Sequence, residues 1–254
     1  MPACGTGAPG REDWPPHARA WYAPRVTTLA LKLQAYGLFK GVAAARMEHL
    51  AQRCRAVALS EGDALFREGD PATGVLLIQR GMVQVFRVMG DGGDATVALM
   101  GPRECVGLTA VLESGNYPAS ARVVSPQLDV LMVDGQTLRD AMAQDLALVQ
   151  AINAMLLQHT HMLRAKINIM TAGEVTQRLA ALFLHLAARF GDEGPDGRVF
   201  IPIILTRRVL AGLVGAREET VIRALTRWEK EGVLTTGSSA FELLNPQELR
   251  NLQA

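Results

Sequence analysis

The sequence is short of cysteine, of net charge and of long apolar runs, and each shortage removes a class of protein. Its three cysteines, Cys4, Cys54 and Cys105, stand far apart. That is neither a disulfide framework nor a close-spaced metal cluster, and it fits a reducing, cytoplasmic setting. No run approaches the roughly 18 apolar residues that a membrane-spanning helix requires, and the N-terminus lacks a charged-then-apolar signal, so no membrane partner is expected. The formal net charge is only +1. Any affinity for a polyanion must therefore come from a local patch. Enzyme signatures are missing as well. No Gly-rich loop ends in Lys-Ser or Lys-Thr, no nucleophile elbow is present, and His159 and His161 lack the i, i+4 spacing that sets two zinc ligands on one helical face. A non-enzymatic chain is expected, and 254 residues at 49% apolar suit two modest globular domains.

What is present is most informative between Leu205 and Thr236, LTRRVLAGLVGAREETVIRALTRWEKEGVLTT. Val209, Leu210 and Leu213 recur at three to four residues, the buried stripe of a short helix. Gly215 then breaks the pattern, because glycine takes the left-handed backbone angles of a sharp helix–helix turn. A second helix carries Val221, Ala224, Leu225 and Trp228 one turn apart, with Arg217, Glu218, Glu219, Thr220 and Arg223 at its start. This is the pattern of a helix-turn-helix, whose second helix lies in the major groove. An arginine donates two hydrogen bonds to guanine, and a glutamate accepts from cytosine N4. Glu219 and Arg223, four apart, project from one face and are placed to read neighbouring base pairs. Thr206, Arg207 and Arg208 open the first helix with a hydroxyl, backbone N–H groups and positive charge suited to a phosphate. The alternative is an ordinary surface helix with an intrahelical Glu219–Arg223 ion pair. After Gly232, the runs 233–236 and 241–243 around Gly237-Ser238-Ser239 predict a hairpin, the wing of a winged helix.

The run GAREETVIRALTRWEKEGVL resembles the recognition segment of the CRP/FNR family of bacterial transcription regulators, with Gly215, Glu219, Thr220, Val221 and Arg223 on the family's pattern. The resemblance implies that Glu219 and Arg223 read bases and that Glu218 tunes the site. A glutamate at 218 and Ile222 in place of a small residue depart from the commoner choices, so the preferred operator is expected to differ.

Residues 1 to about 28 are rich in proline and glycine and poor in aliphatic side chains, which predicts a poorly ordered extension. Cys4 lies there alone. An iron–sulfur cluster usually takes four thiolates, so the sequence argues against such a sensor. From Leu38 to Asp134 a short helix around 43–54 precedes brief apolar runs punctuated by glycine turns, the spacing of a jelly roll or barrel. GDALFREGDPATGVLLIQRGMVQVF resembles the family's cyclic-nucleotide-binding-type β-roll. ECVGLTAVLESGNYPASARVV then falls where the family keeps its phosphate-binding cassette. In cyclic-AMP-binding members a Gly-Glu pair holds the ribose and an Arg-Ser or Arg-Thr pair holds the phosphate. Here Gly107 is followed by Leu108, and Ser120 and Ala121 follow Ala119 rather than an arginine. Buried ligand groups left unpaired cost about 1–3 kcal/mol each when neutral and more when charged. A tight cyclic nucleotide is therefore not expected, although a cyclic-nucleotide-responsive regulator with a divergent pocket stands as the alternative. The resemblance leaves open haem or a gas, with His159 or His161 as candidate ligands beside His49, Met162, Cys54 and Cys105. A small apolar or aromatic acid, or no effector, is equally compatible.

Met142, Leu146, Val149, Asn153, Leu156, Thr160, Leu163, Ile167 and Met170 recur at alternating four- and three-residue steps, the seam of a two-stranded coiled coil. Asn153 in that seam favours one register and a parallel, two-chain state. Thr137 with Asp140, and Thr171 with Glu174, suggest capping boxes that open this helix and the next. Gly173 marks a hinge between them. The expected molecule is α+β. It has an extension over 1–28, an effector-sensing double-stranded β-helix (jelly roll) over 29–136, a dimerisation helix over 137–170 and a winged helix-turn-helix over 171–254. Its expected partners are double-stranded DNA, a second copy of itself and RNA polymerase, and the family's habit is activation.

Overall fold

The computed structural model describes residues 21–22, 26–90, 93–237 and 240–253. Most of the expected extension, with Cys4, and the wing-tip Ser238–Ser239 lie outside them. The boundary at residue 28 needs correction. Strand β1 (Trp21–Tyr22) already pairs antiparallel with β2 (Cys54–Ser60), and helix α1 (Val26–Gln34) begins two residues before that limit. Leu29, Ala30 and Leu33 give α1 a buried stripe, and Val26 to Thr28 are simply its first turn. A 3-10 turn (Gly37–Phe39) leads to α2 (Ala44–Gln52).

The roll continues through β3 (Ala64–Phe66), β4 (Gly74–Arg80), β5 (Val83–Val88), β6 (Asp94–Met100), β7 (Cys105–Val106), α3 (Leu108–Leu112), β8 (Ser120–Val123) and β9 (Gln127–Asp134). Two sheets form, β1-β2-β9-β4-β7 and β3-β8-β5-β6. Strand β4 shows why its sequence reads as an unbroken apolar run. Leu76 and Ile78 face the second sheet, while Val75 and Leu77 face the helices, so both sides are buried.

The predicted helix over 137–170 is in fact two. Helix α4 (Gly135–Met142) is capped by Asp134, whose carboxylate accepts from the Thr137 amide at 2.8 Å. Helix α5 (Leu146–Met170) has its own cap, Asp145, accepting from Leu148. An aspartate at the N-cap, immediately before Gly135, outcompetes the Thr137–Asp140 box, because a side-chain acceptor there satisfies an amide that has no helical partner. Met142 therefore sits on α4 and leaves the seam. The second predicted box is also displaced: Thr171 closes α5, and Glu174 with Gln177 caps α6 (Val175–Phe190).

The C-terminal half adds β10 (Asp192–Glu193), β11 (Val199–Ile201), α7 (Arg207–Val214), α8 (Glu218–Lys230), β12 (Leu234–Thr236), β13 (Phe241–Leu243) and α9 (Pro246–Asn251). Its sheet runs β10-β11-β13-β12, so the predicted hairpin is the outer half of a four-stranded sheet. Phe183 of α6 meets Trp228 and Phe241 edge-on at 6.3 and 5.2 Å, a favoured arrangement of ring quadrupoles. Met82, Leu99 and Val124 of the roll join the same buried cluster, so the two halves are packed together.

Candidate functional site

Two surfaces and one cavity carry chemistry. The first surface is the start of α8. Gly215 at φ +62 makes the left-handed turn from α7, and a side chain there would be strained. Val221, Ala224, Leu225 and Trp228 bury the underside of α8. Arg217, Glu218, Glu219 and Arg223 remain exposed and Thr220 half-buried. Burial of four apolar groups at about 1.5–3 kcal/mol for each large one fixes which face turns outward. Among the described residues the ion pair of α8 is Arg227–Glu231, and Glu219 and Arg223 have none. The alternative reading of that pair as an intrahelical bridge is not what forms. Glu218 and Glu219 also complement the positive end of the helix dipole.

Thr206 caps α7, its hydroxyl accepting from the Val209 amide. Arg207 donates to Thr236 at 3.3 Å and so ties α7 to the wing. Arg208 turns the other way, toward Asp94 of β6 at 3.6 Å. The same Asp94 oxygen accepts from Arg122 at 2.6 Å, and Arg122 also donates to Gln84.

The second surface is the outer stripe of α5. Leu148, Ile152, Met155 and Ile169 bury its inner face against the molecule. Leu146, Leu163 and Ile167 are 71%, 52% and 60% exposed, Asn153 is exposed, and Val149 and Leu156 are half-buried. Leu157, 62% exposed, extends the apolar stripe and was not in the predicted seam. These exposed aliphatic side chains form a continuous row along one face of α5.

The cavity, of about 270 Å3, lies where the roll, α5 and α6 meet. Gly107, Thr109, Tyr117 and Ala119 come from the roll, His159, Met162 and Lys166 from α5, and His185 and Arg189 from α6. The sequence picked five pocket residues, and the structure brings two of them, Gly107 and Ala119, to this cavity. Leu108 is turned into the core under the helices, Ser120 accepts from the Glu68 amide, and Ala121 packs between the sheets. Strand alternation turns Ser120 away from the side that Ala119 presents to the cavity, and Ala121, one step further along β8, lies deeper between the sheets. Gly107 is at φ +88, with the Tyr117 ring 2.8 Å from where a Cβ would be, so a side chain is excluded there. Tyr117 stacks on Phe66 at 3.7 Å and donates to the Gly74 carbonyl at 2.7 Å.

Of the candidate haem ligands, His159 lines the cavity, while His161 is exposed on the far side of α5. Cys105 and Met162 also line it; His49 is exposed and Cys54 is buried elsewhere. Burial pushes both the Cys54 and Cys105 thiols up to about 12, so both stand as neutral thiols and not as reactive thiolates. The volume falls below the roughly 300–1,000 Å3 of drug-sized sites.

The polar groups that the sequence reading missed are the cavity's cations. Arg189 pairs with Glu104 at 2.6 Å, donates to the Leu99 carbonyl and so bridges α6 to the roll. Lys166 donates to the Leu213 carbonyl at the end of α7, and burial lowers its ammonium to about 8. Arg178 donates to the next carbonyl, Val214, at 2.9 Å. Two cations thus satisfy the orphan carbonyls and negative dipole end of α7. Burial lowers His159 and His185, with the Arg189 charge adding to the effect at His185. No local motif marks these residues. They converge only because α5 and α6 fold back on the roll.

Residues 56–145 match the family model for a cyclic nucleotide-binding domain, and residues 177–252 match that for a Crp-like helix-turn-helix domain. A "CRP-like cAMP-activated global transcriptional regulator" of Mycobacterium tuberculosis is 26% identical over 196 residues, 77% of this chain and 87% of the relative. An "Anaerobic regulatory protein" of Bacillus subtilis is 29% identical over 185 residues, 72% of this chain and 77% of the relative. The solved structure of FixK2 from Bradyrhizobium japonicum superposes with a TM-score of 0.69 at 23% identity, over 79% of this chain and 98% of that one. Among the described residues no helix is long and apolar enough to cross a membrane.

Proposed function

The chain belongs to the CRP/FNR family of DNA-binding transcription regulators, and from that premise we propose that it acts as a homodimer on a near-palindromic site, under an effector other than a cyclic nucleotide. The carrying observation is the unpaired, exposed Glu219 and Arg223 on the outward face of α8. An acid and a base one turn apart, free of each other, are available to base edges. Arg217, Glu218 and Thr220 flank them, while Thr206 and Arg207 stand at the start of α7 for the phosphate backbone. The apolar stripe from Leu146 to Ile167 supports pairing through α5, with Asn153 setting the register. Two-fold pairing would hold the two reading helices roughly 34 Å apart, one turn of DNA.

The cassette supports the exclusion of cyclic nucleotides. Leu108 stands where a ribose-binding carboxylate would be, Ala119 where a phosphate-binding arginine would be, and Arg122 is committed to Asp94 and Gln84. The divergent-pocket alternative draws on the match to a cyclic nucleotide-binding domain and on the cAMP-activated relative. Calorimetry with cyclic AMP and cyclic GMP separates the two: we expect no heat at millimolar nucleotide, and tight binding would reverse the choice. We further propose a cytoplasmic activator that contacts RNA polymerase through the roll, where Val88 and Met89 at the end of β5 are exposed. The central test is selection of the full-length chain against randomised duplexes. A two-fold-symmetric motif is the expected product. Failure to enrich any motif, across redox states and added ligands, would defeat the DNA reading.

A further inference from the structure

We propose that the cavity between the roll, α5 and α6 binds a small apolar monocarboxylate, whose carboxylate takes the Lys166 ammonium away from the Leu213 carbonyl and so loosens α7. The proposal rests on the effector-controlled regulator described above and names the chemistry of its effector. Charge accounting in the cavity leads to it. Arg189 is neutralised by Glu104 at 2.6 Å. His159 and His185 are held toward the neutral form by burial. Lys166 is the one remaining cation facing the cavity among the described residues, and its partner is a backbone carbonyl rather than a carboxylate.

A single unneutralised positive charge in an otherwise apolar chamber selects for one negative charge on an apolar body. A second carboxylate or a phosphate dianion would leave charge uncompensated, at several kcal/mol in a water-poor site. A neutral ligand would leave the ammonium as it is. An ammonium bonded to a carboxylate gains the attraction of a full opposite charge, where the Leu213 carbonyl offers only a dipole, so a carboxylate displaces that carbonyl. The Tyr117 ring, Ala119 and Met162 offer apolar walls to the remainder of the molecule, and the volume of about 270 Å3 limits its size.

The same lysine supplies the coupling. Lys166 lies on α5 and Leu213 at the end of α7, in the helix-turn-helix. Loss of that bond leaves Arg178 alone to hold the carbonyl end of α7, which packs directly on α8. A ligand shifts a conformational balance only through such a difference between states, and the coupling is reciprocal.

Calorimetry on the full chain at neutral pH tests this with hexanoate, benzoate and phenylacetate, each against its matched amide. At least one carboxylate is expected to bind with Kd at or below about 1 mM and its amide at least about tenfold more weakly. Lys166→Met should weaken that carboxylate at least about tenfold and Lys166→Arg should retain most of the affinity. Ala119→Phe, which fills the cavity from the roll side and leaves the lysine in place, should abolish binding and keeps the test valid if Lys166→Met does not fold. No binding by any of the three acids at about 10 mM, equal binding of acid and amide, or unchanged binding to Lys166→Met would each overturn the proposal. On a selected operator, the bound acid should change affinity by about threefold or more, and it should do so less in Lys166→Arg. An operator recovered without acid binding sinks this inference and spares the DNA reading. Acid binding without any operator supports the site and sinks the DNA reading.

Discussion

At the scale of single residues, the start of α8 was readable because its logic is local. A stripe of Val221, Ala224, Leu225 and Trp228 at helical spacing determines which side is buried, and Glu219 and Arg223 follow by geometry. Arg223→Ala should cost about 1–3 kcal/mol on the selected operator and relax preference at one base pair, measured by titration of single-base operator variants. Equal weakening on random DNA would show that Arg223 holds phosphate and reads nothing. The cavity was legible only in part, for the opposite reason. Gly107 and Ala119 could be placed from their position in the cassette, but Lys166, His185 and Arg189 sit on two later helices whose inner faces depend on how the halves dock. Arg208 illustrates the same limit. By sequence it belongs with Thr206 and Arg207 at a phosphate, yet the fold places Asp94 within 3.6 Å of it.

At the scale of elements, the helical periodicity of α5 was sound and its beginning was not. Periodicity of 3.5 persists across a break if both helices present apolar residues, so Met142 joined a seam that physically starts at Leu146. The side-chain cap Asp145, which opens a new helix three residues after Met142, reveals the interruption. The strands of the roll were mostly visible as short apolar runs between glycines. β7, β8 and the sheet beyond the wing were too short or too polar for a period-two signal. The stripe on α5 makes its own prediction. Ile167 is 60% exposed, so Ile167→Asp should leave each chain folded while placing a charge in the seam. Light scattering should then report a single chain of 27.4 kDa where the parent reports twice that. A dimer of undiminished strength would move the interface to another surface. Asn153→Leu, by contrast, should keep the dimer and loosen its register, seen as a second population in cross-linking between seam cysteines introduced on both chains.

At the scale of the whole molecule, the two halves are joined by an apolar contact and by polar ties of a few residues. Met82, Leu99 and Val124 supply the first. Arg189 with Glu104, Arg208 with Asp94, and Lys166 with the Leu213 carbonyl supply the second. Such an interface is a natural two-state element, because breaking any tie strands a partner and favours breaking the rest. Its response to acid follows from the histidines. His159 and His185 have folded pKa values below the ordinary 6.5, owing first to burial. The undocked or unfolded chain therefore binds more protons as pH falls below 6.5, so the docked state is favoured in full above that value and loses stability progressively beneath it. Lys166, facing the same cavity, keeps its charge below its lowered value of about 8 and opposes further positive charge beside it, with Glu104 already engaged by Arg189. Thermal unfolding should show a lower midpoint at pH 5.5 than at pH 7.5, and the H159Q/H185Q double variant should show a smaller drop. If both proteins lose the same number of degrees, the acid sensitivity belongs to carboxylates elsewhere, and the cavity's histidines are spectators to the docking of the two halves.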